Sequence, residues 1–448
     1  MTEPRPPRRR SRVPTSRLER FARIGMMAGE FALGGLAESA RRWVGRGGPE
    51  LPGIPGAALL TGEAARRLAE RLSRLRGAAM KLGQLLSLQG DDLLPPEFAE
   101  ALAILRASAD TMPAQQVRRV LGREYGRGWE ARFRAFDYEP MAAASIGQVH
   151  AATSADGREL ALKIQYPGVA RSIESDVDNL ASVLRLARIL PVEVDVSGLV
   201  AEAKRQLRRE ADYLHEAACL RRYGALVADE PGVRVPAVHD DLTTRRILAM
   251  DRLEGRPVEE LRSPEATQAE RDALGTLLHR LVLRELFEFH FMQTDPNFAN
   301  YLYEMGARRL VLLDFGSASE LAPRLVSGYR ALFRAAVAQD RPGLLAAALA
   351  LGFAREDDRP DRREGLLDLI ALVCEPLRHR GVYDFGKSDL AARARDAGFE
   401  LAFGRGFLRP PPPETIFLHR KLAGTFFLCT RIRARVDVGA LLRPHLAA

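Results

Sequence analysis

The sequence predicts an α+β protein. Three observations carry this: a helical first stretch, a small set of strands with helices inserted between them, and a mostly helical remainder. No internal repeat links the three parts. At about 100–200 residues per domain, 448 residues make two to four units. The chain is 46% hydrophobic and 28% charged, which excludes wholesale disorder. Cys219, Cys374 and Cys429 are too few and scattered for a disulfide framework or a zinc cluster, and a reducing compartment is expected. No apolar run reaches about 18 residues, so no ordinary transmembrane helix is expected. The basic start leads into no apolar h-region, so no signal peptide is expected either.

Residues 1–23 carry eight arginines against Glu3 and Glu19, together with Pro4, Pro6, Pro7 and Pro14, and read as a basic disordered arm. The whole chain is +9, so most of its excess charge lies there, in a tail and not in a basic domain. Residues 24–47 read as a short helix. Gly25-x-x-x-Gly29 is a small-residue packing face, while Glu30 and Glu38 favour lying on a membrane surface over crossing it. A plain packing helix fits equally well. Residues 48–56 are a Pro/Gly linker. A helical extension follows over 57–136, interrupted at Asp91-Asp92 and Pro95-Pro96, with 112–136 continuing as short helices.

The period changes next. Residues 143–152 and 159–165 read as strands joined by a turn at Ala155-Asp156-Gly157. Residues 172–189 and 200–227 read as helices, and 233–239 and 246–253 as strands. From Pro264 the pattern is helical except for a strand pair at 300–303 and 310–314. This divides the globular part into 137–253, a small sheet with inserted helices, and 254–448, a helical lobe.

Only five cations are lysine: Lys81, Lys163, Lys204, Lys387 and Lys421. The other 62 are arginine, a bias that a GC-rich bacterial genome would produce. In such a chain each lysine is a candidate for a place where a compact ammonium is needed and a forked guanidinium fails.

The densest chemistry runs from Phe291 to Asn300 and from Leu310 to Gly316. Asp295 and Asn300 have the Asp-to-Asn spacing of a kinase catalytic loop, and Asp314-Phe315-Gly316 closes an apolar strand. Phosphoryl transfer needs a carboxylate at the nucleophile, plus a carboxylate and an amide oxygen for Mg²⁺, a hard cation suited by Asp314 and Asn300. Upstream, the strand Glu159-Leu-Ala-Leu-Lys163 ends in a lysine that needs an anion if it is half-buried. The helix read over 206–219 offers Glu210, Asp212 and Glu216, with Asp212 and Glu216 on one face. Pro140-Met-Ala-Ala-Ala-Ser-Ile-Gly147 stands where a kinase has its glycine loop, and alanine stiffens that backbone. Lys81 and Gln84 share a helix face across Gly83.

Together these segments resemble the UbiB (aarF-domain-containing) family of atypical kinase-like proteins, most closely its coenzyme Q biosynthesis branch. The resemblance spans about residues 20–440 and rests on Lys81-Leu82-Gly83-Gln84, Ala142-Ala143-Ala144-Ser145, Glu210-Ala211-Asp212 and Gln293-Thr294-Asp295 through Asn300. The late segments Pro411–Glu414 and Leu418-His-Arg-Lys-Leu422 also look like that branch. The family implies a bilobal protein kinase-like fold with an N-terminal helical extension over the peptide site. It implies Mg-ATP binding and ATPase activity in ubiquinone biosynthesis, acting on or presenting isoprenoid lipid precursors, with ubiquinone biosynthesis enzymes as partners. The expected place is the cytoplasmic side of a bacterial inner membrane, held peripherally.

On this reading Lys163 contacts phosphates and Glu216 orients it. Asp314 and Asn300 hold Mg²⁺, and Asp295 orients the attacking oxygen. Ala142, Ala143, Ala144 and Ser145 cover the phosphates, while Lys81 and Gln84 meet Glu210 or Asp212. The backbone from Met250 to Leu253 holds adenine. A protein or small-molecule kinase and a catalytically weak nucleotide-binding scaffold remain alternatives. Nucleic acid is not expected, because the arginine arm lacks interleaved aromatics.

Overall fold

The computed structural model describes residues 111–186 and 197–447, apart from Pro296, Leu408 and Pro410. The expected arm, the helix expected over 24–47, and Lys81 and Gln84 of the expected extension lie outside the described residues.

In chain order the elements begin with α1 (Ala114–Tyr125), β1 (Phe133–Phe136), β2 (Ala142–Ala143), β3 (Gly147–Ser154) and β4 (Glu159–Gln165). Helices α2 (Val169–Leu186), α3 (Ser197–Glu210) and α4 (Tyr213–Leu226) come next, followed by β5 (Val233–Arg234), β6 (Ile247–Asp251) and β7 (Arg256–Pro257). Then come α5 (Gln268–Arg284), β8 (Phe291–Gln293), β9 (Tyr301–Glu304), β10 (Arg309–Leu312) and β11 (Ala318–Glu320). The rest holds α6 (Pro323–Ala338), α7 (Arg341–Ala350), α8 (Pro360–Val373), α9 (Glu375–Arg378), β12 (Tyr383–Asp384), α10 (Leu390–Phe399), α11 (Pro413–Ile432), β13 (Arg435–Val436) and α12 (Val438–Leu446).

The chain divides into two compact units. Among described residues the first holds 111–217 and 238–252, and the second holds 218–237 and 253–447; the division falls inside α4.

The first unit is built on an antiparallel sheet in the order β1-β3-β4-β6, with β2 paired to β3. The central strand β4 is buried from Leu160 to Gln165 on both faces, where the sequence suggested burial on one. Helix α1 presents Val117, Val120 and Leu121 at helical spacing, and they join Trp129, Leu160, Leu162 and Ile164 in one core. Residues 133–136, expected to be helical, instead form β1, whose Phe133 and Phe136 pack edge-on against Trp129. Gly147 has no alternative at its place: a Cβ there would lie 2.4 Å from the Ile164 carbonyl oxygen.

In the second unit α5 starts with a reciprocal cap between Thr267 and Glu270. Its apolar stripe ends in a π turn, Glu285–Phe289, the kind of helix irregularity that recurs at functional sites. Gly275 lets this helix approach β13, since a Cβ would meet Ala434 Cβ at 2.6 Å. Val282, Leu286, Phe333, Leu344, Leu418 and Leu442 lie in one helical core. The strands expected at 300–303 and 310–314 appear as β9 and β10, joined by β5 and β7 into a four-stranded sheet. The pairs β8–β11 and β12–β13 escaped sequence reasoning.

Candidate active site

In the first unit Lys163 lies on β4 between β3 and β6, opposite Val149 and Leu248. It is 7% exposed, and its Nζ donates to both carboxylate oxygens of Glu216, at 2.7 and 2.9 Å. Glu216 is fully buried. An ammonium in that position would be costly alone, so strand and helix are bound by the charges they match. The ring of Tyr213 lies 5.4 Å from the same Nζ.

Sequence reasoning placed Glu210, Asp212 and Glu216 on one helix. The chain breaks between them instead: α3 ends at Glu210 and α4 starts at Tyr213. Asp212 caps α4, its Oδ1 accepting the His215 N–H at 3.1 Å. The Gln165 amide donates to the Ala211 carbonyl at 3.0 Å and ties this corner to the end of β4. Glu216 is thereby brought to Lys163, while Glu210 and Asp212 stand at the corner.

The alanine segment is a hairpin. Ala142 and Ala143 pair with Val149 and Gln148, and the Ala144 N–H donates to the Gly147 carbonyl at 2.9 Å. Ala142 and Ala143 are exposed, with Ala144 and Ser145 partly so. Met250 pairs with Ala161 on β6 and is buried. Leu253, buried as well, opens the chain's return into the second unit.

In the second unit, pairing brings the remaining candidates together. β8 and β11 join Gln293 to Ala318, so the residues after β8 meet those after Asp314. Thr294 Oγ1 donates to the Ser317 carbonyl at 2.5 Å, and Gln293 Nε2 donates to the carbonyls of Asp295 and Asp314 at 2.9 and 3.1 Å. The β9–β10 hairpin closes with the Leu313 N–H on the Asn300 carbonyl at 3.1 Å. Asp295, Asn300 and Asp314 are thus held through their own backbones. Asp314 Oδ1 accepts the Gly316 N–H at 2.9 Å, and Phe315 is buried against Tyr223 with ring centroids 4.6 Å apart.

Beneath this segment, α11 supplies two consecutive cations. Arg420 Nη2 donates to Asp295 Oδ1 at 2.6 Å. Lys421 Nζ reaches Gln293 Oε1 at 2.9 Å, the Tyr301 hydroxyl at 3.2 Å and Glu285 Oε2 at 3.4 Å. Glu285 comes from the π turn, is fully buried, and accepts from the Tyr223 hydroxyl at 2.7 Å and the Gln293 N–H at 3.1 Å. Burial works against the Lys421 ammonium, but the carboxylate of Glu285 outweighs it and holds this lysine charged, above its usual range. Burial likewise pushes the Tyr301 hydroxyl up, so it serves as a neutral donor to Gln293 Oε1 at 2.9 Å.

The first unit carries a lysine on a central strand paired with a helix carboxylate, and the second carries an Asp–Asn–Asp segment on short hairpins; these are a kinase's equipment with a non-kinase loop. A family model described as the ABC1 atypical kinase-like domain matches residues 104–348. The chain belongs to the ABC1 atypical kinase-like family. Rat atypical kinase COQ8B, mitochondrial, is 39% identical over 428 residues, covering 96% of this chain and 80% of the rat protein. Yeast (Saccharomyces cerevisiae) atypical kinase COQ8, mitochondrial, is 35% identical over 437 residues, covering 98% of this chain and 86% of the yeast protein. Among solved structures, Rv3197 of Mycobacterium tuberculosis, determined in complex with erythromycin, shares the fold at a TM-score of 0.59 and 28% identity. The match covers 86% of this chain and 97% of Rv3197. As an atypical kinase of the COQ8 branch, the chain is an enzyme whose chemistry uses ATP.

In this ABC1 chain, sequence reasoning missed Glu285, Tyr301 and Arg420 as site residues. Two signals pointed to the network. Lys421 is one of only five lysines, and of the four in described residues it and Lys163 are the buried ones. Lys204 pairs with Asp178 at 2.5 Å, and the Lys387 side chain is 88% exposed. The second signal, Glu285 in an apolar helical run, is unmistakable only once that helix is known to be buried.

Proposed function

We propose that this chain couples Mg-ATP turnover to ubiquinone biosynthesis, acting on or presenting isoprenoid quinone precursors at a membrane surface. The observation that carries the reading is the buried Lys163–Glu216 pair, because an ammonium held on a central strand at this exposure suits polyphosphate better than bulk water. Lys163 binds the α- and β-phosphates and Glu216 fixes its direction. The hairpin of Ala142, Ala143, Ala144 and Ser145 covers the phosphates, and the backbone at Met250 and Leu253 receives adenine. Asp295 orients the attacking oxygen of water or of a small acceptor.

The second unit's donors fit magnesium. Asp314 and Asn300 offer hard oxygens, and Asn300 Nδ2 is buried with no hydrogen-bond partner among the described residues, so its amide can turn its oxygen outward. Asp314 and Asn300 would hold Mg²⁺, which when bound neutralises charge on the phosphates. Lys81, Gln84, Glu210 and Asp212 complete the proposed site from the extension and the α3–α4 corner.

The relatives' name, COQ8, supports the ubiquinone role, and ubiquinone biosynthesis enzymes are the expected partners. The arginine bias supports a bacterial cytoplasmic protein, peripherally bound to the inner membrane through residues 1–43. No described helix is long and apolar enough to cross a membrane. The test is phosphate release from Mg-ATP, with and without anionic liposomes and ubiquinone-precursor mimics. Magnesium-dependent release that rises with both additions is expected. No release under any condition sinks the ATPase reading, and release indifferent to both additions sinks the lipid role.

A further inference from the structure

We infer that Arg420 is a catalytic residue: one arm of its guanidinium sets Asp295 and the other receives an oxygen of the phosphoryl group in transfer. The inference rests on the phosphoryl-transfer reading above and names a participant from outside the catalytic segment.

Three observations carry it. The first is charge. From Asp295 to Asn300 the chain reads Asp-Pro-Asn-Phe-Ala-Asn, with no cation, yet the transferred group carries charge on three equatorial oxygens that must be met. The second is position. Arg420 sits on α11 with its side chain 7% exposed and Nη2 at 2.6 Å from Asp295 Oδ1, so it stands where the attacking oxygen must be oriented. The third is an uncommitted donor. Arg420 Nη1 is buried and has no hydrogen-bond partner among the described residues. Its neighbours on the helix differ: Leu418 is in the core, and Lys421 is fully engaged. A guanidinium serving only to neutralise Asp295 would be expected to spend both arms on it, since the bidentate fork is the favoured geometry. Here one arm is held back, and a buried cationic donor without an acceptor is costly.

Asp295, held at Oδ1 by Arg420, orients the attacking hydroxyl through Oδ2 and takes its proton. The oxygen's lone pair forms the new bond to the γ-phosphorus. The bond from that phosphorus to the β,γ-bridging oxygen breaks with its electron pair, which leaves on ADP. Arg420 Nη1 donates to a γ-phosphoryl oxygen throughout and carries no proton away. With water as acceptor the products are ADP, inorganic phosphate and the proton released from Asp295. Because the arginine is fixed in the fold, the donor is preorganised and needs no partner protein to supply it.

The test uses the full-length protein and Mg-ATP, reading phosphate release together with nucleotide-induced thermal shift. Arg420→Ala is expected to lower kcat about a hundredfold, the scale for losing one preorganised donor, with KM for ATP little changed. Added guanidinium ion at millimolar concentration is expected to restore part of kcat without altering the melting temperature, which a purely structural role would not do. A kcat within threefold of wild type overturns the inference, as does a loss that guanidinium leaves untouched. Should Arg420→Ala not fold, Arg420→Lys decides: one ammonium cannot serve both Asp295 and a phosphoryl oxygen. A folded Arg420→Lys enzyme more than tenfold slower supports the assignment, and one at wild-type rate overturns it. If wild type itself releases no phosphate, the phosphoryl-transfer reading falls and this inference falls with it. Normal wild-type release with indifferent Arg420 variants removes this inference alone.

Discussion

The two units hold their buried lysines differently. In the first, Lys163 donates to both carboxylate oxygens of Glu216, at 2.7 and 2.9 Å. In the second, Lys421 is shared among Gln293, Tyr301 and Glu285, and Glu285 is shared again with Tyr223 and the Gln293 backbone. The first arrangement aims one side chain. The second braces a loop: every member touches Gln293 directly or through one neighbour, and Gln293 holds the carbonyls of Asp295 and Asp314. The Lys163–Glu216 pair fixes the direction of a strand side chain, whereas the Lys421 network fixes the backbone of a loop.

That contrast is broken most directly at Lys421. Lys421→Met removes the cation and leaves Glu285 buried, with its Oε2 facing nothing else. The expected loss is about 3–5 kcal/mol of stability, the range for stranding one partner of a buried pair, measured by urea unfolding. Turnover is expected to fall as well, since Gln293 loses its brace. A loss under about 1 kcal/mol would mean that this lysine is in effect solvated. The double variant Lys421→Met with Glu285→Gln should recover only part of the loss, because Tyr223 and Tyr301 lose charged partners.

At Asp314 the expected effect is on ligand alone. Asp314→Asn keeps volume and keeps an oxygen for the Gly316 N–H, so the fold should stand. The Mg-ATP-induced stabilisation should disappear, a change of about 2.7 kcal/mol at a hundredfold excess over Kd. Thermal shift with and without Mg²⁺ reads it, and an undiminished shift removes Asp314 from the metal site.

Lys163→Arg tests the aimed lysine. The guanidinium keeps the charge but is broader, and β4 is flanked by β3 and β6 at this position. Turnover should fall at least about tenfold, or 1.4 kcal/mol. A rate closer to wild type would mean that any cation suffices and that Lys163 does not touch phosphate.

What could be read in the sequence follows the same division. Lys163 was legible because a lysine ending an apolar strand in a lysine-poor chain has few explanations, and Asp295, Asn300 and Asp314 because their spacing is local. The bracing was not legible. β8 and β11 have three residues each, too few to show a period, yet their pairing joins the two halves of the catalytic segment. Arg420 and Lys421 act on residues more than 100 positions earlier, a contact no local pattern encodes. The corner at Ala211-Asp212 was missed although Asp is a preferred helix cap, because the flanking residues continue a helical pattern on both sides. Residues 133–136 are expected from the sequence to continue the short helices of 112–136. Their backbone pairing with β3 makes them an edge strand instead, a long-range contact that local pattern does not show.

The smallest effect expected is in acid, and it again separates the units. Burial lowers the pKa of His150 in the first unit, and in the second it lowers His279 and His419 to about 4 and also lowers His445. Each folded value lies below the unfolded one, so the neutral ring is the form the fold accepts. The unfolded chain takes up protons first as pH falls through about 6.5, and stability is lost from there down to the folded value. His150 shows why. Its Nδ1 donates to the Asp137 carbonyl at 2.8 Å and its Nε2 accepts from Gln148 Nε2 at 2.7 Å, while Gln148 Oε1 is committed to the Met112 N–H at 2.7 Å. A second ring proton would face a donor that cannot turn away. For His279 and His419 the loss should be about 1 kcal/mol each over the first pH unit below 6.5, and the second unit holds more of the lowered rings among the described residues. Native-state hydrogen exchange at pH 7 and 5.5 should therefore show protection falling more in α5 and α11 than in β3 and β4. Equal or greater loss in the β3–β4 pair would mean that acid acts through the carboxylates and that the histidines are bystanders.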